Sequence, residues 1–214
     1  QPLAVISNFA TAAKHVIDNT EADFDAPLSR WMQTVCDQAN SCADIIRGLR
    51  RFLKKGHENR ELVGLYRIIE DSVKLIHCNQ QYRTTNVACV STTDSPIVYA
   101  NSIQLQQVIV NLLQNACDAV SQVDCPEVQV GITTYQNRAR VTIADNGPGI
   151  DATKRNEIFD AFFTTKTSGM GMGLAISKTI VEAHRGTLDF DSDSSGTRFH
   201  VELPLANQRS SALT

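Results

Sequence analysis

No stretch of this sequence comes near the ~20 consecutive apolar residues that cross a bilayer, so no membrane contact is expected of it. It lacks an excess of basic residues: the net charge of −3 and pI near 5.9 offer no positive field to nucleic acid or to an acidic membrane surface. It lacks an initiator methionine and a signal peptide, opening instead on Gln1-Pro2-Leu3 in mid-pattern. That opening reads as the interior of a longer protein. The six cysteines form no C-x-x-C pair and have no histidine at ligand spacing. They are expected to be reduced core residues of a cytosolic protein rather than disulfides or zinc ligands. There is no internal repeat and no low-complexity tract.

What is present centres on residues 105–120, LQQVIVNLLQNACDAV. Leu105, Val108, Ile109, Leu112, Leu113, Ala116 and Val120 recur at helical spacing. Asn111, Asn115 and Asp118 fall in one row beside that apolar arc. Such groups are costly to bury without partners, so the row faces either water or a polar ligand.

Ahead of it, Leu3, Ile6, Ala10, Ala13 and Ile17 form a heptad seam, with Val5, Phe9, Ala12 and Val16 as a second stripe. Two stripes suit a helix inside a four-helix bundle. The polar segment 18–26 reads as a connection, and Pro27 stands where a first helical turn tolerates proline. Apolar positions from Leu28 to Leu53 then sustain about 39 Å of helix. Arg47, Arg50, Arg51, Lys54, Lys55 and Gly56 mark its stop. The first helix is shorter than the second, so about ten of its residues are expected upstream, and one hairpin needs a second copy to enclose a core.

After a polar hinge at 55–61 the texture changes. Helices are expected at 65–80, across the central stretch, and at 174–184. Strands are expected at 86–90, 97–99, 128–134, 139–144, 187–190 and 197–203, with a hairpin turn at Gln136-Asn137. The expected fold is α+β: a helical hairpin at 1–56 forming a four-helix bundle as a dimer, then an α/β sandwich at 61–205, with a frayed tail at 206–214.

Three further segments carry chemistry. Asp145-Asn146-Gly147-Pro148-Gly149-Ile150 ends a strand, where the glycines permit a tight path and Asp145 projects as an acceptor; alone it is equally a plain turn. Residues 157–166, EIFDAFFTTK, are too apolar for a free loop and fit a lid hinge with aromatic anchors better than a core strand. Ser168-Gly169-Met170-Gly171-Met172-Gly173-Leu174 runs into a helix, and backbone N–H groups there suit an anion, although a flexible hinge has the same composition.

Together and in this order, NLLQNACDA, DNGPGI, IFDAFFTTK and GMGMGL resemble the asparagine, first glycine, phenylalanine and second glycine boxes of the sensor histidine kinases. Their ATP-binding domain is shared in outline with gyrase and heat-shock-chaperone ATPases. The resemblance covers residues 61–205. The first hairpin is similar to the family's dimerisation and phosphoacceptor domain, with Gln1-Pro2-Leu3 as the tail of the acceptor box and the acceptor histidine expected upstream. None of the five histidines has that context, and His15 and His184 read as helix-surface residues.

The resemblance implies ATP and Mg²⁺ as ligands. It places Asn115 on the metal, Asn111 in support of the metal or its water, and both as catalytic positions. Asp145 would accept the adenine amino group, with Gly147, Gly149 and Ile150 beside the base. Gly169, Gly171, Gly173 and Leu174 would cradle phosphates, reached from the lid by Lys166 behind Phe159. Asp118 would orient water near the base. Where the hydrolytic relatives carry a glutamate base, this chain has Asn111, and an amide cannot take a proton from water as a carboxylate can. The implied activity is therefore ATP-dependent phosphoryl transfer to a histidine and on to a response-regulator receiver domain, by a cytoplasmic homodimer held through residues 1–56. A nucleotide-gated phosphatase of the regulator is the alternative, and an ATP-driven clamp is disfavoured by Asn111.

Overall fold

The computed structural model describes residues 59–79, 81–83, 85–91, 95–166 and 171–206, together with Val35. The chain divides into two compact units, Gln1–Lys55 and Gly56–Thr214. The expected hairpin at 1–56, Gly169 of the glycine segment and residues 207–214 of the tail lie outside the described residues.

The second unit begins with a strand that the sequence pattern hid. β1 (Glu61–Gly64) pairs antiparallel with β3 (Ile97–Ala100), Glu61 opposite Ala100. Glu61, expected in the hinge, is the first residue of β1. Only Val63 of β1 is buried, so the segment has too little alternation to announce itself. Helix α1 (Leu65–Cys78) follows, turning Leu65, Ile68, Ile69, Ser72 and Ile76 inward. Gly64 supplies no side-chain cap. The first N–H groups of α1 instead donate to Pro96 O at 3.0 Å and Ser95 Oγ at 3.2 Å. The buried Ser72 hydroxyl is satisfied within the helix, on Ile68 O at 2.7 Å.

The main sheet has five strands: β2 (Asn86–Ser91), β4 (Glu127–Tyr135), β5 (Arg138–Asp145), β6 (Thr187–Asp193) and β7 (Gly196–Pro204), in the order β2-β4-β5-β7-β6. β2 runs parallel to β4 and the other pairs are antiparallel. Gln136 and Asn137 both have positive φ, 45° and 65°, which a two-residue hairpin turn of matching twist requires. Val128, Val130, Ile132, Ala139, Val141, Ile143, Phe199, Val201 and Leu203 alternate onto one buried face.

Helix α2 (Ser102–Ala119) lies against that face, between α1 and α3 (Gly173–Ala183). Val108, Leu112 and Leu113 on α2 are wholly buried. The chain stays tied down as far as Ala206, whose N–H donates to Ile97 O at 2.8 Å.

Two expectations are corrected here. His184 is buried at 3% exposure rather than on the helix surface. Its Nε2 accepts the backbone N–H of Asn101 at 3.1 Å, so the ring is neutral with the proton on Nδ1, donated to Ile180 O at 2.7 Å. Among the cysteines, Cys78, Cys89, Cys117 and Cys125 are all free and Cys117 is a core residue as expected, but Cys78, Cys89 and Cys125 are exposed. Among the described residues, no helix is long and apolar enough to cross a membrane.

Candidate functional site

One face of α2 organises the site. The helix starts at Asn101, whose Oδ1 accepts Gln104 N–H at 3.0 Å as an ordinary N-cap. Leu105, Val108, Ile109, Leu112, Leu113, Ala116 and Cys117 face the core. Asn111, Asn115 and Asp118 are left half-buried along its flank. The spacing of Asn111, Asn115 and Ala119 puts them at successive turns of the same flank, spanning about 12 Å.

Each turn meets a different element. At the first, Asn111 Nδ2 donates to the buried Ser177 Oγ of α3 at 3.0 Å. Its Oδ1 lies so close to α3 that a Cβ on Gly173 would sit 2.3 Å away. At the second, Asn115 Oδ1 accepts Lys166 Nζ at 2.8 Å, and Asp118 Oδ2 takes the same ammonium at 2.5 Å. At the third, Ala119 packs under Gly147, where a Cβ would come within 3.0 Å of both the Ala119 Cβ and its carbonyl oxygen.

Asp145 is the last residue of β5. Its Oδ1 accepts the N–H groups of Gly147 at 2.9 Å and Thr197 at 3.3 Å. Oδ2 accepts no hydrogen bond among the described residues and is left as a spare acceptor. Burial raises the carboxyl above its ordinary pKa, opposed by those two N–H donors. Gly149, with φ of +76°, carries the turn back past Asp193 and brings the Ile150 N–H onto Ser192 Oγ at 2.8 Å. The hydroxyl of Ser192 also reaches Thr197 Oγ1 at 3.0 Å, which ties the turn to β7.

The segment after the turn is anchored by aromatic contact. Phe159 meets Phe190 edge-on with centroids 5.9 Å apart, and Lys178 Nζ lies 4.9 Å over its ring. Phe163 is half-buried against the core, whereas Phe162 is 69% exposed at a φ of 72°. The Phe162 N–H donates to Gly171 O at 3.0 Å, which holds the segment against the entry to α3. Gly173 and Leu174 open that helix. Its N-cap, Met172, makes no side-chain cap bond, and no acid stands in its first turn. Among the described residues, neither a capping side chain nor an acid offsets the N–H donors and partial positive charge of that helix end.

The structure thus brings Asn111, Asn115, Asp118, Lys166, Gly171, Gly173 and Leu174 into one neighbourhood. It places Asp145, Gly147, Gly149 and Ile150 at the far end of the same helix flank. Phe159 anchors the segment from the side rather than lining that flank.

Residues that the motifs did not disclose complete it. Tyr82 OH donates to Asp118 Oδ1 at 2.8 Å, with Gln81 Nε2 at 3.5 Å from the same oxygen. Ser177 and Thr197 fix Asn111 and Asp145. A tyrosine in a turn and a serine inside a helix carry no local signal of such roles. Burial first, and then the neighbouring Asp118 charge, push the Cys117 thiol up to about 11, so it is an inert core thiol.

Asn115 Oδ1 and Asp118 Oδ2 already share one cation, the Lys166 ammonium. Of the two, the Asn115 amide oxygen is the ligand that suits a hard divalent ion, since both Asp118 oxygens are engaged by Tyr82 and Lys166. No cluster of three or more metal-ligating side chains occurs among the described residues, so such an ion would complete its shell with phosphate oxygens and water.

Residues 100–207 match the family described as histidine kinase-, DNA gyrase B- and HSP90-like ATPase. The chain is 33% identical over 206 residues to the C4-dicarboxylate transport sensor protein DctB of Rhizobium meliloti, covering 96% of this chain and 33% of that protein. It is 30% identical to the sensory histidine kinase/phosphatase NtrB of Rhizobium leguminosarum, covering 92% of this chain and 54% of that protein. Among solved structures, the mycobacterial sensor histidine kinase MprB superposes with a TM-score of 0.62 at 27% identity, over 70% of this chain and all of that one. The chain therefore spans about a third to a half of the length of these two sensor proteins.

Proposed function

This chain belongs to the histidine kinase-, DNA gyrase B- and HSP90-like ATPase family, and from that premise we propose that it is the catalytic core of a two-component sensor histidine kinase. In this reading it binds Mg-ATP and passes the γ-phosphoryl group to a histidine, from which an aspartate of a response-regulator receiver domain takes it. It works as a cytoplasmic homodimer joined through residues 1–56.

The observation that carries the reading is the flank of α2. Within about 12 Å it meets the N-terminal end of α3, carries the amide that holds the Lys166 ammonium, and packs under the turn that follows Asp145. In this reading the three would serve phosphates, metal and base in that order. Asp145 Oδ2 would accept the adenine amino group, a contact that guanine cannot make because it offers a carbonyl there. Gly171, Gly173 and Leu174 would present N–H groups to the phosphates, and Lys166 would add a positive charge from the lid. Asn115 would hold the Mg²⁺, which when bound neutralises charge on the phosphate oxygens, while Asp118 keeps the Lys166 ammonium beside it. Asn111 is tied through Nδ2 to Ser177 and has no basic group to offer water. The site accordingly favours ATP held in place for an incoming histidine, by positioning rather than by hydrolysis.

ADP titration of the wild type and of Asp145→Ala tests the base assignment. The variant should lose about tenfold or more in affinity, the loss expected for one desolvated charged hydrogen bond; equal affinities would sink it. Supplying ATP labelled at the γ position together with a histidine-bearing helical hairpin tests the transfer. Acid-labile label on the hairpin is expected, and free phosphate as the sole labelled product would favour a hydrolase.

A second reading, a nucleotide-gated phosphatase of the regulator, draws on the NtrB relative, which is named for both activities. Dephosphorylation of a regulator that needs ADP yet survives Asn115→Ala would favour it.

A further inference from the structure

Asp118 and Lys166 form an ion pair whose side chains are 24% and 43% exposed. A pair that wet orders two flexible side chains only weakly by itself. Both oxygens of Asp118 are nevertheless committed, Oδ2 to Lys166 and Oδ1 to Tyr82. Tyr82 is the stiffest member of the group. The whole residue is only 8% exposed. It sits in a turn in which its N–H donates to Asn79 O and its O accepts Thr85 N–H, each at 3.1 Å. A phenylalanine would fill that pocket equally well; the hydroxyl is there for the carboxylate.

Resting on the nucleotide site proposed above, we infer that Tyr82 is a positioning residue of that site: by fixing Asp118 Oδ1 it turns Oδ2 toward Lys166 and so sets the lid ammonium beside Asn115. The rigid ring spares Asp118 a search over rotamers, and Asp118 spares the long lysine the same. Burial and the Asp118 charge push the phenol well above its ordinary pKa, so it remains a donor throughout the working range. Lys166 then arrives at the phosphates already aimed.

The test needs no catalysis. The 214-residue chain is treated, without nucleotide, with limiting acetic anhydride, and acetylation is read by mass spectrometry at Lys166 and at Lys154, an exposed lysine outside the cluster. Tyr82→Phe should speed labelling of Lys166 about three- to tenfold, the size of one ordinary net hydrogen bond, since the effect reaches the lysine only through Asp118. Lys154 should be unchanged and the melting temperature close to wild type. Asp118→Asn should have the same effect, and adding Tyr82→Phe to it should change nothing more, because Tyr82 acts through Asp118. Mg-ADP affinity should fall by a similar factor in either variant.

An unchanged Lys166 rate in Tyr82→Phe overturns the inference. So does equal acceleration at Lys154, which would mark a loosened fold, or a further effect in the Asp118→Asn background. If Tyr82→Phe does not fold, the Tyr82 hydroxyl proton is observed by NMR in the other two proteins. A downfield resonance present in the wild type and lost in Asp118→Asn supports the inference, and no change overturns it. Failure of wild-type ADP binding sinks the nucleotide reading instead, and the labelling pattern separates the two failures.

Discussion

Gly173, the first residue of α3, lies so close to Asn111 of α2 that a methyl group on it would come within 2.3 Å of the Asn111 amide oxygen. The glycine there serves contact between two helices before it serves any ligand. Gly173→Ala should destabilise the domain by about 1–3 kcal/mol, the usual cost of overpacking, despite alanine's better helix propensity. Combining it with Asn111→Ala should recover part of that loss, since the amide it strikes is gone. A double-mutant cycle in urea measures the coupling; strictly additive effects would refute the contact.

Metal dependence is read at Asn115. Wild-type protein should bind ADP more tightly with Mg²⁺ than with EDTA, and Asn115→Ala should bring the two affinities together. Calorimetry checks this. A variant that keeps the full Mg²⁺ advantage would move the metal off Asn115.

The buried His184 ties the C-terminus of α3 to the start of α2, with the Arg60 guanidinium bonded nearby to Ala183 O. Burial first, and then the Arg60 charge, hold its pKa below the ordinary value, against the opposing bond to Ile180 O. The unfolded chain therefore takes up the proton more readily than the folded one. The stabilisation is complete above about pH 6.5 and is lost as pH falls below that toward the folded value. Melting temperatures between pH 7.5 and 5.5, about one unit either side, should fall more steeply for the wild type than for His184→Gln. Parallel slopes would show that another group governs the window.

Core and surface positions on α2 should separate cleanly. Leu112 has no exposed area and Ile103 is 75% exposed. Leu112→Ala should cost about 2–5 kcal/mol and Ile103→Ala about 0.5 or less, as measured by chemical denaturation. Comparable losses would place Ile103 in an interface.

Among the described residues, the sequence by itself determined the elements whose pattern repeats. α2 announced its buried face through Leu105, Val108, Leu112 and Ala116, and the β4–β5 hairpin announced its turn through Gln136-Asn137. Such elements are legible because side-chain direction follows from period alone. It also determined which residues could make a nucleotide site, since glycines, amides and a strand-end aspartate have few uses in that order. β1 escaped because four residues with one buried side chain have no period to detect. The burial of His184 is not legible in the sequence, because helical position says which way a side chain points, not what stands opposite; there it is Asn101, 83 residues away. Tyr82, Ser177 and Thr197 were invisible for the same reason. Only the tertiary structure decided that one flank of α2 meets α3, the lid lysine and the Asp145 turn in succession, because contacts between distant segments depend on how buried faces pack, and packing leaves no mark on the spacing within any one segment.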